Sequence, residues 1–269
     1  MAMDVAILKD KEFALFQKMI YEIAGIHLAG HKKHLVSGRL GKRLKHFGLD
    51  SYSDYYDLIG NNTDNERQVA VDLLTTNETY FFREEKHFEF LKETLLPEWR
   101  RGPRRIWSAA SSSGEEAFTL AMTLAESSPT QDWEIIGTDL SSRMVEKANK
   151  GQYPMERAEN IPKYFLNKYC LKGVGAQEGT FLLNKDLRKR TRFFHANLKE
   201  SLSKFGEFDL IFLRNVLIYF DQETKQYVVN NLVRQLKPGG CFIVGRSESL
   251  NGVTDRLSVI IPSVYRKVE

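Results

Sequence analysis

The first eighty residues carry apolar positions at helical spacing and show no strand-like alternation. Between residues 13 and 23, apolar side chains recur at steps of three and four residues, which predicts one face of an amphipathic helix. These side chains are Phe13, Phe16, Met19, Ile20 and Ile23. A second helix is expected over residues 31–47, where Val36, Leu40, Leu44 and Phe47 form an apolar stripe. The pattern therefore predicts an all-helical N-terminal domain.

From Arg104 onward, short apolar strands alternate with helices. Strands are predicted over residues 105–110, 133–138, 192–195, 208–213, 241–245 and about 263–268, and helices over 115–126, 142–149 and 222–236. The last helix stops at Lys237-Pro238-Gly239-Gly240, because proline followed by glycine ends a helix and favours a turn. This alternation predicts a doubly wound α/β fold, with a mostly parallel sheet and helices on both of its faces.

The stretch 171–194 departs from this alternation. Gly173, Gly175 and Gly179 precede two short apolar runs, which predicts a small antiparallel β insertion. We therefore expect a helical domain at 1–78 and a linker with a helix at 79–103. An α/β domain should follow at 104–269 and hold a small β subdomain at about 170–192.

Composition narrows the class of protein only slightly. The 269 residues are 42% hydrophobic and 28% charged, which is typical of a soluble globular protein. No apolar run approaches the roughly 20 residues that span a bilayer, and Asp4, Asp10 and Glu12 interrupt the apolar core that a signal peptide needs. Cys170 and Cys241 have no C-x-x-C spacing, which argues against a disulfide framework or a zinc site. These features predict a cytoplasmic protein without membrane insertion and without a bound metal.

The distribution of charge is more informative than the net charge of +4. Residues 31–47 include six Lys or Arg residues and no acidic residue. A basic stripe runs beside the apolar one on this helix and contains Lys32, Arg39, Arg43 and His46. Such a stripe is either a solvated face or a docking surface for something acidic. Because few aromatic residues lie among the basic ones and no nucleic-acid-binding motif is present, an acidic protein surface is favoured over nucleic acid.

A strand, a loop of very small side chains and a helix follow each other between Ile106 and Leu124. Small residues let the backbone approach a ligand, and a helix N-terminus offers unpaired N–H groups. Twenty-five residues beyond Gly114, a second strand ends at Asp139, where a doubly wound sheet holds ribose hydroxyls. The loop lacks G-x-G-x-x-G, which disfavours a plain NAD site. The pattern indicates a nucleoside-type cofactor, with an ordinary packing turn as the alternative.

Four ordered motifs carry a resemblance to a known family. They are L-T-T-N-E-T-Y-F-F-R-E (Leu74–Glu84), W-S-A-A-S-S-S-G-E-E (Trp107–Glu116), F-D-L-I-F-L-R-N-V-L-I-Y-F (Phe208–Phe220) and L-K-P-G-G…S-E-S (Leu236–Ser249). Through them the chain resembles the CheR family of chemotaxis receptor methyltransferases, which use S-adenosylmethionine to methylate glutamates on bacterial chemoreceptors. One departure is G-R-S-E at Gly245–Glu248 in place of G-H-S-E, so Arg246 changes the charge near the site.

The resemblance implies S-adenosylmethionine as the cofactor and assigns residues to its parts. The implied cofactor-binding residues are Asn77, Thr79, Arg83, Glu115, Asp139, Asn197, Leu198, Arg214 and Asn215. Glu115 suits the ammonium group, Asp139 the ribose hydroxyls, and the Asn197-Leu198 pair the adenine. Simpler explanations stay open, since Glu115 can be an acid that the helix dipole favours and Asp139 can cap the next helix. Asn197 and Leu198 can form an ordinary turn.

The resemblance also implies a reaction and two residues that serve it. A glutamate side chain is ionised at neutral pH, so methyl transfer needs no general base, and catalysis should come mainly from alignment and removal of water. Arg83 and Tyr219 are expected to orient the incoming carboxylate, although Tyr219 can instead be a half-buried structural residue. Arg214 lies inside an apolar segment and is costly to bury unless it meets the ligand or a partner acid.

The implied partner is the cytoplasmic helical domain of chemoreceptors. Its acidic surface would dock on Lys32, Arg39 and Arg43, and we expect that neither arginine is needed to hold the fold together. A receptor C-terminal peptide is a further candidate partner at the β insertion, and a monomer is expected. The open alternatives are a methyltransferase of the same fold acting on nucleic acid or on a small carboxylic acid, and an adaptor that binds the cofactor without transferring a methyl group.

Overall fold

The computed structural model describes residues 6–61, 64–99, 102–128 and 130–268. The chain divides into two compact units. The first contains Met1–Thr76 together with the short segment Tyr219–Thr224, and the second contains Asn77–Ile218 and Lys225–Glu269. The segment Tyr219–Thr224 is therefore a late piece of chain that belongs with the N-terminal helices.

The N-terminal unit is helical, as the spacing of its apolar residues predicts. Its helices are α1 (Asp10–Ala24), α2 (Lys33–Phe47), α3 (Tyr52–Asn61) and α4 (Asp64–Leu74). Helix α1 ends at Gly25, whose φ of 72° lies in the left-handed region that favours glycine. Phe16 of α1 and Leu40 of α2 are fully buried on the predicted apolar faces, and Tyr55 of α3 is fully buried with them in the core of this unit. Phe47 is a correction, because it lies at the end of α2 and is exposed instead of buried.

The second unit is built around a mostly parallel sheet. Its strands are β1 (Arg104–Ala109), β2 (Trp133–Asp139), β3 (Gln152–Pro154), β4 (Cys170–Lys172), β5 (Thr180–Leu183), β6 (Thr191–His195), β7 (Phe208–Leu213), β8 (Leu236–Val244), β9 (Leu257–Ile261) and β10 (Val264–Lys267). Seven of them form one sheet in the order β6-β2-β1-β7-β8-β10-β9. The five from β6 to β8 pair in parallel, whereas β10 and β9 add antiparallel.

Helices cover this sheet. They are α5 (Lys86–Phe90), α6 (Leu96–Glu98), α7 (Glu115–Ser127), α8 (Ser142–Lys150), α9 (Lys163–Tyr169), α10 (Lys185–Arg190) and α11 (Gln222–Arg234). A π-helical turn over Leu91–Leu95 connects α5 to α6. Every residue of β7 is buried, because a parallel strand in the middle of such a sheet is covered on both faces. The doubly wound fold predicted from the sequence is therefore confirmed.

The small antiparallel sheet has the order β3-β5-β4 and begins at Gln152, earlier than the predicted range of about 170–192. Strand β3 is only three residues long, which is too short to show alternation in the sequence. The run at Thr191–His195 pairs in parallel with β2. It therefore belongs to the main sheet, as the predicted strand at 192–195 requires, and not to the β insertion, although the stretch 171–194 included most of it.

Two other strand predictions need correction. Strand β8 begins at Leu236 instead of Cys241, because Leu236 pairs with Phe208 and the Pro-Gly-Gly stretch follows it as an irregular start of the ladder. Strand β9 was not predicted at all. Its residues 258–261 are exposed at the edge of the sheet, so its apolar run shows no burial pattern that separates a strand from a loop. In the described residues, no helix combines the length and the apolar character needed to cross a membrane.

Candidate functional site

The loops after β1 and β2 lie side by side at the carboxyl edge of the sheet, where open α/β sheets bind ligands. Ala109 of β1 pairs with Thr138 of β2, and the Ser111 N–H donates to the Thr138 carbonyl at 2.8 Å. The loop then turns into α7 at Gly114, whose φ is 96°. A Cβ at Gly114 would lie 2.9 Å from Ala148 Cβ, so close packing as well as backbone conformation requires glycine here.

Asp139 is buried at the tip of β2 and fixes both neighbouring loops. Its Oδ2 accepts from the Ser112 N–H and its Oδ1 accepts from the Ser141 N–H, each at 2.8 Å. The cap of α8 is Ser141, whose hydroxyl accepts from the Met144 N–H, so Asp139 is not itself the helix cap. Each carboxylate oxygen can accept more than one hydrogen bond, which keeps the proposed contact with ribose hydroxyls chemically open.

Glu115 is the first residue of α7 and is 1% exposed. The Ser113 hydroxyl donates to its Oε2 at 2.7 Å, and Arg157 Nη1 lies 3.6 Å from its Oε1. Burial raises the pKa of Glu115, while the Ser113 hydrogen bond and the Arg157 charge act in the opposite direction without cancelling the rise. A buried carboxylate with this incomplete compensation favours a further cation, as the ammonium of the cofactor would be.

Arg157 contacts the candidate site, although it was not among the residues predicted for it. It lies in a turn of 3-10 helix over Met155–Ala158, and its Nη1 also donates to the Thr79 carbonyl at 2.6 Å. The guanidinium thus connects two residues that the family resemblance assigns to the cofactor, Thr79 and Glu115. Nothing in the sequence between Pro154 and Pro162 has a helical or strand period, so its spatial neighbours could not be predicted.

Arg83 occupies a tight turn of the linker. The residues on either side of it, Phe82 and Glu84, have φ angles of 58° and 57°. Its Nη1 donates to the Glu78 carbonyl at 2.7 Å, and its guanidinium lies 5.6 Å from the ring centre of Tyr80. The same linker contacts the loop after β1, since the Ser112 hydroxyl donates to the Asn77 carbonyl at 3.4 Å. The structure therefore brings Asn77 to the loop after β1 and Thr79, through Arg157, to Glu115, while the position of the Arg83 side chain relative to the cofactor stays a prediction.

Arg214 meets partner acids, which is one of the two outcomes expected for a charge in this apolar segment. Its Nη1 donates to Glu116 Oε2 at 3.0 Å and its Nη2 to Glu84 Oε2 at 3.1 Å, and Nη2 also donates to the Arg83 carbonyl. Its side chain is 2% exposed. The Nε of Arg214 is buried and has no hydrogen-bond partner among the described residues, so this guanidinium keeps one donor beside its ion pairs. The assigned role of Arg214 at the cofactor stays a prediction.

The two acids beside Arg214 respond differently to burial. Burial raises the pKa of Glu116, and the charge of Arg214 offsets only part of that rise. Burial also acts to raise the pKa of Glu84, but Arg214 and the amide of Asn215 outweigh it and hold the pKa below its usual value. Both acids form ion pairs with the Arg214 guanidinium, at 3.1 Å for Glu84 and 3.0 Å for Glu116.

Asn215 follows Arg214 in a left-handed conformation with a φ of 58°. Its N–H donates to Glu248 Oε2 at 2.8 Å, and its side-chain amide donates to Glu84 Oε1 at 3.2 Å. The same oxygen of Glu248 accepts from the Gly245 N–H at 2.7 Å. Glu84, Glu116 and Glu248 all lie within the family motifs, yet sequence reasoning did not select them. For Glu84 and Glu248 the available signal was an acid close to an apolar run and an arginine, whereas Glu116 has no arginine beside it in the sequence.

Asn197 and Leu198 follow β6 and are half-buried. They lie beside Asp139, because the Ala196 N–H donates to the Asp139 carbonyl at 3.0 Å. Asn197 Oδ1 accepts from the Lys199 N–H at 3.0 Å, which is the turn that the simpler explanation expected. The two interpretations are compatible, and the contact with adenine stays a prediction.

The chemistry of these side chains fits S-adenosylmethionine. Ser111 Oγ is buried and has no hydrogen-bond partner among the described residues, which is unusual unless a ligand supplies one. Two buried carboxylates, Glu115 and Asp139, lie in and beside the same loop. An ammonium group and ribose hydroxyls are the donors that such carboxylates accept. Within the described residues, no cluster of His, Cys, Asp or Glu has the arrangement of a metal site.

The N-terminal unit corrects one expectation about the basic stripe. Arg43 forms a two-point ion pair with Glu66, at 2.8 and 2.6 Å, and Tyr55 also donates to Glu66 at 2.7 Å. Arg39 Nη1 donates to the carbonyls of Leu73 and Thr75 at 2.9 and 2.7 Å. Both arginines therefore make contacts within the N-terminal unit, which argues against the expectation that the fold needs neither of them. Helix α4 supplies Glu66 and the Leu73 carbonyl, and Thr75 follows that helix, so the pattern of α2 alone could not reveal these contacts.

Other cations of α2 face solvent. Lys42 and Lys45 are exposed, and they line a groove of about 570 Å³ together with Gly38 and Gly41. Lys32 is half-buried, with its Nζ 4.9 Å from the ring centre of Tyr219. Tyr219 is also half-buried, and the His27 N–H donates to its carbonyl at 2.8 Å. The assigned roles of Lys32 in docking and of Tyr219 in catalysis stay predictions.

Comparison with known proteins gives the same family in both units. Residues 77–265 match the family described as CheR methyltransferase, SAM binding domain, and residues 11–75 match CheR methyltransferase, all-alpha domain. The chain is 37% identical to the chemotaxis protein methyltransferase of Escherichia coli (strain K12), over 96% of this chain and 91% of that protein. It is 36% identical to the chemotaxis protein methyltransferase of Borreliella burgdorferi, over 98% and 96% of the two chains.

A solved structure, the methyltransferase domain of bacterial-CtHen1-C, is 18% identical and superposes with a TM-score of 0.37 over 60% of this chain and 62% of that one. So distant a likeness adds nothing to the relationship that the sequence comparisons establish.

Proposed function

The chain belongs to the CheR family of chemotaxis methyltransferases, and on this premise we propose that it transfers a methyl group from S-adenosylmethionine to glutamate side-chain carboxylates of chemoreceptors. The products are glutamate methyl esters and S-adenosylhomocysteine. The observation that carries the proposal is the pair of buried carboxylates, Glu115 and Asp139, at the carboxyl edge of the sheet in the S-adenosylmethionine-binding domain. At this edge, the two carboxylates can accept hydrogen bonds from the ammonium group and the ribose hydroxyls of the cofactor.

Each part of the cofactor has a partner in this arrangement. When bound, S-adenosylmethionine supplies a methyl group on a positively charged sulfur. Glu115 pairs with the ammonium group, Asp139 accepts from the ribose hydroxyls, and the buried Ser111 hydroxyl gains the partner that it lacks within the described chain. Asn197 and Leu198 contact the adenine. The remaining contacts with the cofactor are assigned to Asn77, Thr79, Arg83, Arg214 and Asn215.

The chain's main task in the reaction is alignment. The substrate carboxylate is ionised at neutral pH, so no residue has to remove a proton. Methyl transfer neutralises opposite charges, and water screens them less once it is excluded from the site. Holding the reactants in line can supply roughly 7–11 kcal/mol in favourable cases. We assign this orientation to the guanidinium of Arg83 and the hydroxyl of Tyr219.

The substrate dock belongs to α2 of the N-terminal unit. Lys32, Arg39 and Arg43 were assigned to this docking surface from the sequence. Because Arg39 and Arg43 make bonds within the N-terminal unit, other cations of α2 are better placed to bind a substrate. Lys42 and Lys45 border a groove where Gly38 presents no Cβ, and the space beside it is open. An acidic amphipathic helix of a chemoreceptor fits such a surface, because close backbone approach and charge complementarity act together. A receptor C-terminal peptide at the small sheet and a monomeric state complete the proposal.

The test is transfer of tritiated methyl groups into membranes that contain chemoreceptors. We expect label in the receptor band that is released by mild base, since a carboxyl methyl ester is base-labile. RNA and small carboxylic acids serve as competing acceptors in parallel reactions. Base-stable label, or label found only in RNA or in a small acid, would contradict glutamate methylation and favour one of the alternative substrates.

A further inference from the structure

Arg157 is a positively charged residue that contacts two residues of the candidate site. It reaches the Glu115 carboxylate at 3.6 Å and the Thr79 carbonyl at 2.6 Å from the same nitrogen. We propose that Arg157 is a stand-in counterion for Glu115, which the ammonium group of the cofactor displaces, so that Arg157 lowers the affinity for ligands that carry this group. The proposal rests on the role of Glu115 given under the proposed function.

The first step is the need of Glu115 for a cation. A carboxylate that is 1% exposed has lost almost all of its hydration, which is costly unless a charge or donors replace it. Ser113 supplies one hydrogen bond at 2.7 Å. Among the ion pairs of the described residues, Arg157 is the one cation within 4.0 Å of this carboxylate. Arg157 therefore provides the compensating charge when no ligand is present.

The second step is that this pairing is loose. The distance of 3.6 Å exceeds the roughly 2.7–2.9 Å of a good charge-assisted hydrogen bond. The side chain of Arg157 is 46% exposed, whereas that of Glu115 is 1% exposed. An arginine that is already half in water can return to it at small cost. The carboxylate, in contrast, cannot leave the site.

The third step is competition for one carboxylate. A ligand ammonium at hydrogen-bond distance from Glu115 would lie a few ångströms from the guanidinium, where two like charges repel. The ligand ammonium forms the shorter bond with Glu115. Arg157 then moves into solvent, and the Thr79 carbonyl loses its donor. Removing the charge of Arg157 therefore has opposite effects on the two states. The unliganded protein loses a counterion, and the liganded protein loses a competitor.

The test uses Arg157→Gln, because glutamine removes the charge and keeps a polar N–H donor on a shorter side chain. Calorimetry on the full chain should give about two- to fivefold tighter binding of S-adenosylhomocysteine, the range expected for a half-exposed ion pair. Binding of 5′-methylthioadenosine, which has the adenosyl part but no amino group, should not change. The unfolding midpoint of the unliganded protein should fall. Weaker or unchanged binding of S-adenosylhomocysteine by Arg157→Gln would overturn the proposal.

Two further variants separate this proposal from the one it rests on. Arg192→Gln removes the same charge from an exposed ion pair with Glu134 and should leave both affinities unchanged. Glu115→Gln should weaken S-adenosylhomocysteine and abolish the effect of Arg157→Gln in the double variant. If Glu115→Gln binds normally, Glu115 has no role at the ammonium and both proposals about it fail. If Glu115→Gln binds weakly and Arg157→Gln binds normally, only the role of Arg157 fails.

Discussion

At the scale of single residues, Asp139 has a double task. It holds the loop after β1 through the Ser112 N–H and the start of α8 through the Ser141 N–H. The proposed contact with the ribose adds to these two bonds. A substitution that removes both oxygens would lose both backbone hydrogen bonds as well as the ligand contact, whereas asparagine keeps one acceptor oxygen and loses only one of the two backbone bonds.

We predict that Asp139→Asn weakens S-adenosylhomocysteine binding by about 1–3 kcal/mol, the range for leaving one side of a buried charged hydrogen bond without its partner. Calorimetry measures the loss. The matched control is Asp209→Asn, a buried carboxylate near the start of β7 that binds Arg104 and Lys237. It should lower the free energy of unfolding and leave ligand affinity unchanged. Normal affinity in Asp139→Asn would move the ribose contact to another residue.

His87 carries a prediction about pH. It is buried in α5, with Nε2 2.8 Å from Ser263 Oγ, and burial followed by the charge of Arg214 lowers its pKa from 6.5 to about 4. The unfolded chain takes up this proton near pH 6.5 and the folded chain only near pH 4. Between these values the unfolded state binds more protons, so the free energy of unfolding should decrease as the pH falls, by on the order of 3 kcal/mol.

Urea unfolding at pH 7, 5.5 and 4.5 measures this loss. In His87→Gln the part of the pH dependence that belongs to His87 should disappear, while His46→Gln, which changes an exposed histidine of α2, should retain it. An unchanged pH dependence in His87→Gln would show that another group, such as Glu84, is responsible.

At the scale of elements, α2 combines two kinds of cation. Arg39 and Arg43 bind α4 and the residues that follow it, whereas Lys42 and Lys45 face solvent along a groove. One helix thus uses its inner arginines to hold the unit together and leaves its outer lysines for a partner. The distinction allows stability and docking to be tested on neighbouring residues.

We predict that reversing Lys42 and Lys45 to Glu leaves the unfolding midpoint unchanged and lowers receptor methylation steeply, because attraction to an acidic helix becomes repulsion. The wild-type rate should fall with rising salt as the Debye length shrinks from about 30 to about 8 Å. Arg43→Glu should instead destabilise the unit by about 3 kcal/mol, since it places an acid against buried Glu66. Normal methylation by the double lysine variant would remove α2 from substrate docking.

At the scale of the whole molecule, regular patterns in the sequence predicted the architecture well. The sequence alone identifies α1 and α2 by their apolar periodicity and β1, β2 and β7 by their apolar runs, because these patterns are long enough. Short or exposed elements were missed because their periods are not visible. Strand β3 has three residues, and strand β9 is exposed along most of its length.

The candidate site was predictable only where chemistry follows a local motif. The small residues of the loop after β1 identify that loop in the sequence, and the position of Asp139 at the end of a predicted strand identifies the acid. Arg157 and Glu248 come close to the site through pairings between distant segments, which no local pattern encodes. Arg39 and Arg43 illustrate the same limit, because an exposed stripe on a helical wheel becomes an internal contact once α4 is beside it.

The ion pairs of Arg214 have a consequence for recombining this chain with its relatives. One guanidinium joins Glu84 in the linker, Glu116 in α7 and its own position after β7, so three segments far apart in the sequence depend on one another. A chimera with a crossover between residues 84 and 214 would draw these partners from different parents. A crossover at Thr76–Asn77 would leave the trio intact, but it would take Tyr219–Thr224 from a different parent than the helices of its own unit. In a functional chimera, Glu84, Glu116 and Arg214 should therefore come from the same parent.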